Sequence, residues 1–355
     1  MKEFEVQKYL RKGRILPVLP EPLPADRRDF MVIPACDELE HFEKTRSSLL
    51  ALDGIENAVV LFVVNHPENA SQQVIEANQQ LCSLLDKTPF YRIEAGVLTQ
   101  GAGEARRLGF DAVIAALPPE QLNGTVLYSF DADTVAEKEY FTKVRRAFAE
   151  KKQGAVSIGV RHQAGATPAE ENAIREYERY MDHYVDRLRE AGSPYAFHTI
   201  GSAFAVRADI YVRCGGMRLR QAGEDFYFLQ AVSKIAPVTE LTEKLVHPSA
   251  RLSHRVPFGT GRAVEQLLNG EPLNEIPDTP FAVLKAVLSA AHSGKTEFFE
   301  EFPSEAKPFF EALKFQESWG RIVKNTPHAQ LPEAFDRWFD GLQTLRFLHF
   351  LQENI

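Results

Sequence analysis

The chain has 355 residues, enough for one large domain with additions or two modest ones. Its composition, 44% hydrophobic and 25% charged, supplies a sizeable core and excludes a disordered chain. A net charge of -8 without any basic domain excludes nucleic-acid binding through phosphate neutralisation.

Residues 1–28 contain Pro17, Pro20, Pro22 and Pro24. Proline at that density forbids a regular helix or central strand, so this stretch reads as an extended arm. An alternation of strands and helices then begins. Phe30 to Ile33 is a short apolar run ending at Pro34, as in a buried parallel strand. Asp37 and Glu38 open a helix with Leu39, Phe42, Leu49 and Leu50 on its apolar side. Ala58 to Val64 is a β-branched second strand, followed by a helix bearing Val74, Ile75, Leu81, Leu84 and Leu85. Phe90 to Ile93 is the third strand, Glu104 to Ala116 a helix, and Thr125 to Phe130 the fourth strand, stopped by Asp131. Tyr140, Phe141, Val144 and Phe148 have helical spacing, and Ala155 to Val160 returns to strand.

This pace predicts a mostly parallel α/β sheet with helices on both faces. Ligands of such sheets bind beyond the carboxyl ends of the strands. A long amphipathic helix is expected over Ala169 to Glu190, where Tyr177, Tyr180 and Tyr184 read as packing residues rather than a sugar platform. Ser193 to Gly261 shows little regularity. Beyond about residue 266 the pattern is helical only, over Phe281–Ala291, Pro303–Val323 and Leu331–Leu351, with Trp319 and Trp338 as core anchors. The expected organisation is therefore an arm (1–28), a catalytic domain (29–265) and a helical C-terminal region (266–355).

Three cysteines, Cys36, Cys82 and Cys214, fit no zinc or redox spacing and read as free thiols. The N-terminus lacks an apolar signal core. The longest apolar run, Phe281 to Ala291, falls short of the about 20 residues a membrane span needs and is interrupted by Lys285. A cytoplasmic protein is expected, which leaves room for contact with a membrane surface.

Four segments carry chemistry. Asp131-Ala132-Asp133 places two carboxylates at the end of a buried strand, where both reach one hard divalent cation; the bland alternative is a turn. Glu224-Asp225 precedes a helical pattern of Phe226, Leu229, Val232 and Ile235; the acids either stabilise the helix dipole or deprotonate a hydroxyl. Arg251 to Arg262 holds three arginines, His254 and two glycines. Arginine matches phosphate oxygens bidentately, glycine admits close approach of an anion, and His254 could complete a metal site; a solvated basic loop is the alternative. Gly101-Ala102-Gly103 enters a helix as a dinucleotide-binding loop would, but Arg106 stands at the third glycine position, which argues against a nicotinamide enzyme.

In this order the segments resemble the family 2 glycosyltransferases of the GT-A fold. Ile33-Pro34-Ala35-Cys36-Asp37-Glu38 is similar to that family's opening strand and loop, Gly101 to Gly109 to its Gly-rich turn and helix, and Phe130 to Asp133 to its Asp-X-Asp motif. Gly201 to Arg207, Gly215-Gly216 and Gly223-Glu224-Asp225 resemble its acceptor-side block. The resemblance spans about residues 30 to 262. It implies a nucleotide-diphosphate sugar donor, a hydroxyl acceptor, and Mn2+ or Mg2+ as cofactor. It places Ala35, Asp37 and Glu38 at the nucleoside, Asp131 at the ribose or nucleotide, and Pro34, Asn65, Gly101, Arg106, Arg255 and Arg262 on the donor. Asp131, Asp133 and His254 would attend the metal, and Gly201 and Ser202 the sugar and acceptor pocket. Asp225, with Glu224 beside it, would be the base of an inverting transfer. The chain departs from the family in Cys36, in Asn65-His66-Pro67-Glu68 where the family has Asp-Asp-Gly-Ser, and in Arg107-Leu108. A sugar nucleotidyltransferase and a non-catalytic nucleotide-sugar-binding protein are the competing readings. The former lacks its basic Gly-rich first loop here, and the intact acid pairs argue against the latter.

Overall fold

A computed structural model describes residues 1–11, 19, 21–150, 153–220, 223–251 and 259–355. Two compact units are formed: Met1–Ile174 with His198–Leu268, and Arg175–Phe197 with Asn269–Ile355. The division falls inside the Pro168–Glu190 helix.

The first unit is built on an eight-stranded sheet. In chain order the strands are β1 (Asp29–Ala35), β2 (Ala58–His66), β3 (Tyr91–Val97), β4 (Val126–Ser129), β5 (Val135–Ala136), β6 (Ala155–Val160), β7 (Phe204–Arg207) and β8 (Val238–His247). Their order across the sheet is β3-β2-β1-β4-β7-β6-β8-β5. β7 is antiparallel to both β4 and β6, and β5 is antiparallel to β8; the other pairings are parallel.

β1 is apolar almost throughout because both of its faces are covered. Met31 and Ile33 share a core with Phe42 and Leu81 from the helices Leu39–Leu50 and Gln72–Leu85. On the opposite face Val32 meets the helix Gly101–Ala116. That helix approaches so closely at Gly109 that a Cβ there would lie 2.5 Å from Val32 Cγ1. The second of these helices starts at Ser71, whose hydroxyl accepts from the Val74 N–H.

Pro34 continues β1 rather than ending it, pairing with Val63. The Val32 carbonyl accepts from Phe130 on the β4 side, and the β4 register stops there. Two residues on, the proline nitrogen faces that same, vacated flank, where no donor is required. β7 and β8 were hidden in the sequence for different reasons. β7 is only four residues long. β8 reads Val-Thr-Glu-Leu-Thr-Glu-Lys-Leu-Val-His, and its exposed middle carries charge.

The N-terminal residues are not an extended arm throughout. Glu3–Leu10 is a helix with Val6 and Tyr9 buried. The prolines begin only at residue 17, after it. Tyr9 donates to buried Asp111, which also accepts from Tyr211 at 3.1 Å.

The second unit is helical. Its core is a cluster of aromatic rings, with Phe302 and Phe310 centroids 4.7 Å apart and Phe310 packed on Phe315, Phe335 and Phe339. Trp319 is buried and donates to the Thr296 carbonyl at 2.9 Å. The expected run Pro303–Val323 is two helices, Lys307–Ala312 and Phe315–Asn325, broken at Lys314, which has φ 51°. Likewise Leu331–Trp338 and Gly341–Asn354 are separate, the second capped by Asp340. Tyr184 packs on Phe281 in this unit. Cys82 is buried, and Cys214 Sγ donates to the Tyr211 carbonyl at 3.2 Å. Among the described residues no helix is long and apolar enough to cross a membrane.

Candidate active site

Two acidic segments meet on one buried arginine. β4 ends at Ser129, and the chain turns through Asp131-Ala132-Asp133, closed by the Thr134 N–H donating to Asp131 O at 3.2 Å. The middle residue anchors this turn: Thr45 Oγ1 donates to Ala132 O at 2.8 Å. Gln163 Nε2 donates to both Asp133 O (3.0 Å) and His247 O (2.8 Å). The two carboxylates flanking Ala132 are thus held by their backbone.

Arg106, on the Gly101–Ala116 helix, is 3% exposed. Its Nη2 donates to Asp131 Oδ1 at 2.5 Å and its Nη1 to Glu224 Oε1. Two glycines make room for this bridge. A Cβ at Gly201 would lie 2.7 Å from Arg106 Nη2, and one at Gly103 would lie 2.6 Å from Glu224 Cγ. Burial works against the charge on Arg106, but Asp131 and Glu224 outweigh it and hold the guanidinium ionised. Glu224 and Asp225 open the helix Glu224–Ser233, where the helix dipole favours negative charge. Asp225 Oδ1 accepts from the Phe226 N–H at 2.7 Å. Burial, then the neighbouring charge of Glu224, push Asp225 up to about 7 against the pull of Arg106.

A second arginine serves the other aspartate. Arg251 Nε lies 3.0 Å from Asp133 Oδ2, and its Nη2 donates to Glu38 Oε1 at 2.6 Å. Burial, then Asp131, raise Asp133 to about 6, with Arg251 opposing. Five carboxylates (Glu38, Asp131, Asp133, Glu224 and Asp225) therefore share two guanidinium groups. An anionic ligand entering this excess of negative charge needs a cation brought with it. Among the described residues no group of three or more His, Cys, Asp or Glu is gathered to cage an ion. The donor set instead suits Mg2+ or Mn2+ held by one or two carboxylates and completed by water or phosphate oxygens.

The opening loop is fixed by an amide chain. Asp37, with φ 56°, donates its N–H to Asn78 Oδ1 at 3.0 Å, and Asn78 Nδ2 donates to Asn65 O at 2.8 Å. Asn65 is 4% exposed and spends Nδ2 on Ala35 O and Val63 O, so its donors hold strand ends together rather than reading a base. Pro34 and Ala35 are buried, and Asp37 is exposed. Gly101 starts its helix with φ 60°, and Glu104 accepts from the Thr99 and Gln100 N–H groups. Gly201 O accepts from Ser129 Oγ at 2.5 Å, and Ser202 is buried.

Arg262 stands apart from these pairs, exposed and bonded to Glu265 on its own helix. His254 and Arg255 lie outside the described residues. Arg251, given no role of its own by the sequence, is the arginine that meets Asp133. Its signal was the basic segment itself, but nothing in the spacing singles out its first arginine. His198, His183 and His162 have partners in Glu240, Glu275 and Thr260.

No family model matches the chain, and no curated protein matches it. Among solved structures it is similar to residues 1–349 of S. aureus TarS in complex with UDP-GlcNAc, at 12% identity over 80% of this chain and 86% of that one, with a TM-score of 0.47. It is also similar to the mannosyltransferase PcManGT from Pyrobaculum calidifontis in complex with GDP-Man and Mn2+, at 14% identity over 95% and 94%, with a TM-score of 0.45. Both scores lie below 0.5, so the functional reading rests on the site.

Proposed function

We propose that the chain is a GT-A-type glycosyltransferase related to family 2, moving a sugar from a nucleoside diphosphate to a hydroxyl acceptor. The observation that carries this reading is the convergence of the β4 turn and the Glu224–Asp225 helix start on Arg106. It supports reading the Asp131–Asp133 pair as a cation ligand and Glu224–Asp225 as the source of a base, both met by Arg106 beyond the carboxyl end of β4.

Asp225 is the base. Its raised affinity for a proton matches a group that takes the acceptor hydroxyl's proton near neutral pH. As the acceptor oxygen bonds to the anomeric carbon, the bond from that carbon to the diphosphate breaks, and the nucleoside diphosphate leaves. Attack from the face opposite the leaving group inverts the anomeric centre. Asp133, with Asp131, would hold Mn2+ or Mg2+, which when bound neutralises diphosphate charge. Arg106 holds Asp131 and Glu224 in place, while Glu38 and Asp37 border the donor entrance. The transferase region is residues 29–265.

A thermal-shift screen of UDP, GDP, CDP and TDP sugars, each with Mn2+, Mg2+ or EDTA, tests this. A ligand of the folded state raises stability by about 2.7 kcal/mol at a hundredfold excess over its dissociation constant. A metal-dependent shift with one nucleotide is expected; no shift with any donor would remove the reading.

A further inference from the structure

Arg251 occupies a position that a divalent cation also requires. Its guanidinium bridges Glu38, 5% exposed, and Asp133, whose side chain is 14% exposed. Two carboxylates so far from water need positive charge beside them. An arginine cannot give up that role by losing a proton. It gives it up only by exchange with another cation. The two bonds use different nitrogens, Nε on Asp133 and Nη2 on Glu38. Asp133 can therefore be surrendered while the bond to Glu38 keeps the side chain at the site.

We propose that Arg251 is a tethered cation that compensates Asp133 in the metal-free protein and competes with a divalent metal for it. The inference rests on Asp133 as a cation ligand. The metal-binding state is then only a fraction of the population, and apparent affinity falls by that fraction. Binding of metal and loss of the Arg251–Asp133 pair are one exchange.

The test is a Mn2+ titration of the full chain without nucleotide, read by the loss of the free-Mn2+ EPR signal. Arg251→Gln is expected to bind Mn2+ about tenfold more tightly than the wild type. Adding Asp133→Asn is expected to abolish the gain. Equal or weaker binding by R251Q, at a site that D133N still removes, overturns the competition and leaves the cation assignment standing. A folded R251Q that binds no Mn2+, or a gain that survives D133N, overturns both. If R251Q does not fold, Arg251→Lys, whose single nitrogen cannot keep the separate Nε and Nη2 contacts to Asp133 and Glu38, reads the same difference. Tighter binding than wild type supports the exchange, and equal or weaker binding contradicts it.

Discussion

The backbone of Gly201 lies directly against the guanidinium of Arg106, with only 2.7 Å between Nη2 and the position a Cβ would take. The absence of a side chain at Gly201 leaves room for the guanidinium that joins Asp131 to Glu224. Gly201→Ala forces either the backbone or this arginine to move. Overpacking of this kind costs about 1–3 kcal/mol. Urea denaturation is expected to show that loss, and steady-state assays a fall in turnover of at least about tenfold, since a shift of about 1 Å at a catalytic constellation has that scale of effect. An alanine variant with unaltered stability and turnover would mean that Arg106 is not held here.

Removal of the arginine is more severe. Arg106→Met leaves two carboxylates facing each other without compensation, at a cost of about 3–5 kcal/mol. Arg106→Lys is not an adequate substitute, because an ammonium cannot present the fork that reaches both acids. Denaturation midpoints of the two variants, compared at one pH, check the ordering: wild type above lysine, lysine above methionine.

Asp225 makes two pH predictions. Its carboxyl is raised to about 7, so the basic form accumulates as pH rises through that value. kcat/KM is expected to climb over the same range. The effect on stability has the opposite sign. Between the ordinary carboxylate range and about 7 the folded state keeps a proton that the unfolded state releases, so stability falls as pH climbs. Asp225→Asn removes that penalty. It is expected to be more stable than the wild type at pH 8, by on the order of 2 kcal/mol, and to lose most of the advantage near pH 4. Thermal unfolding of both proteins across this range gives the comparison.

The helical unit should be sensitive at its aromatic centre. Phe310 is fully buried among Phe302, Phe315, Phe335 and Phe339. Phe310→Ala is expected to cost about 3–5 kcal/mol, whereas Phe4→Ala, at an exposed position, should fall within about 0.5 kcal/mol. Calorimetry of the two variants separates these outcomes.

The parallel part of the sheet was legible because β1, β2, β4 and β6 are buried on both faces and read as predominantly apolar runs. β8 was not, since its exposed middle is Thr242, Glu243 and Lys244. The acids were legible as pairs, for Asp131-Ala132-Asp133 lies at a strand end and Glu224-Asp225 at a helix start. Their counter-charges were not. Arg106 is 25 residues from Asp131 and 118 from Glu224, and Arg251 is 213 from Glu38, so only the folded sheet brings them together. The partners of Asn65 were hidden for a related reason: its amide ties β1 to the end of β2, and Ala35 is 30 residues away in the chain.

The central claim is that Asp225 takes a proton from an acceptor hydroxyl while the Asp131–Asp133 turn serves the donor. The most direct measurement is release of nucleoside diphosphate from the sugar donor selected by thermal shift, for wild type, Asp225→Asn and Asp133→Asn. The expected result is metal-dependent release by the wild type, none by Asp225→Asn despite an unchanged donor-induced shift, and loss of both release and metal-dependent shift in Asp133→Asn. Full activity in Asp225→Asn, or a donor shift in Asp133→Asn that still depends on metal, would contradict it.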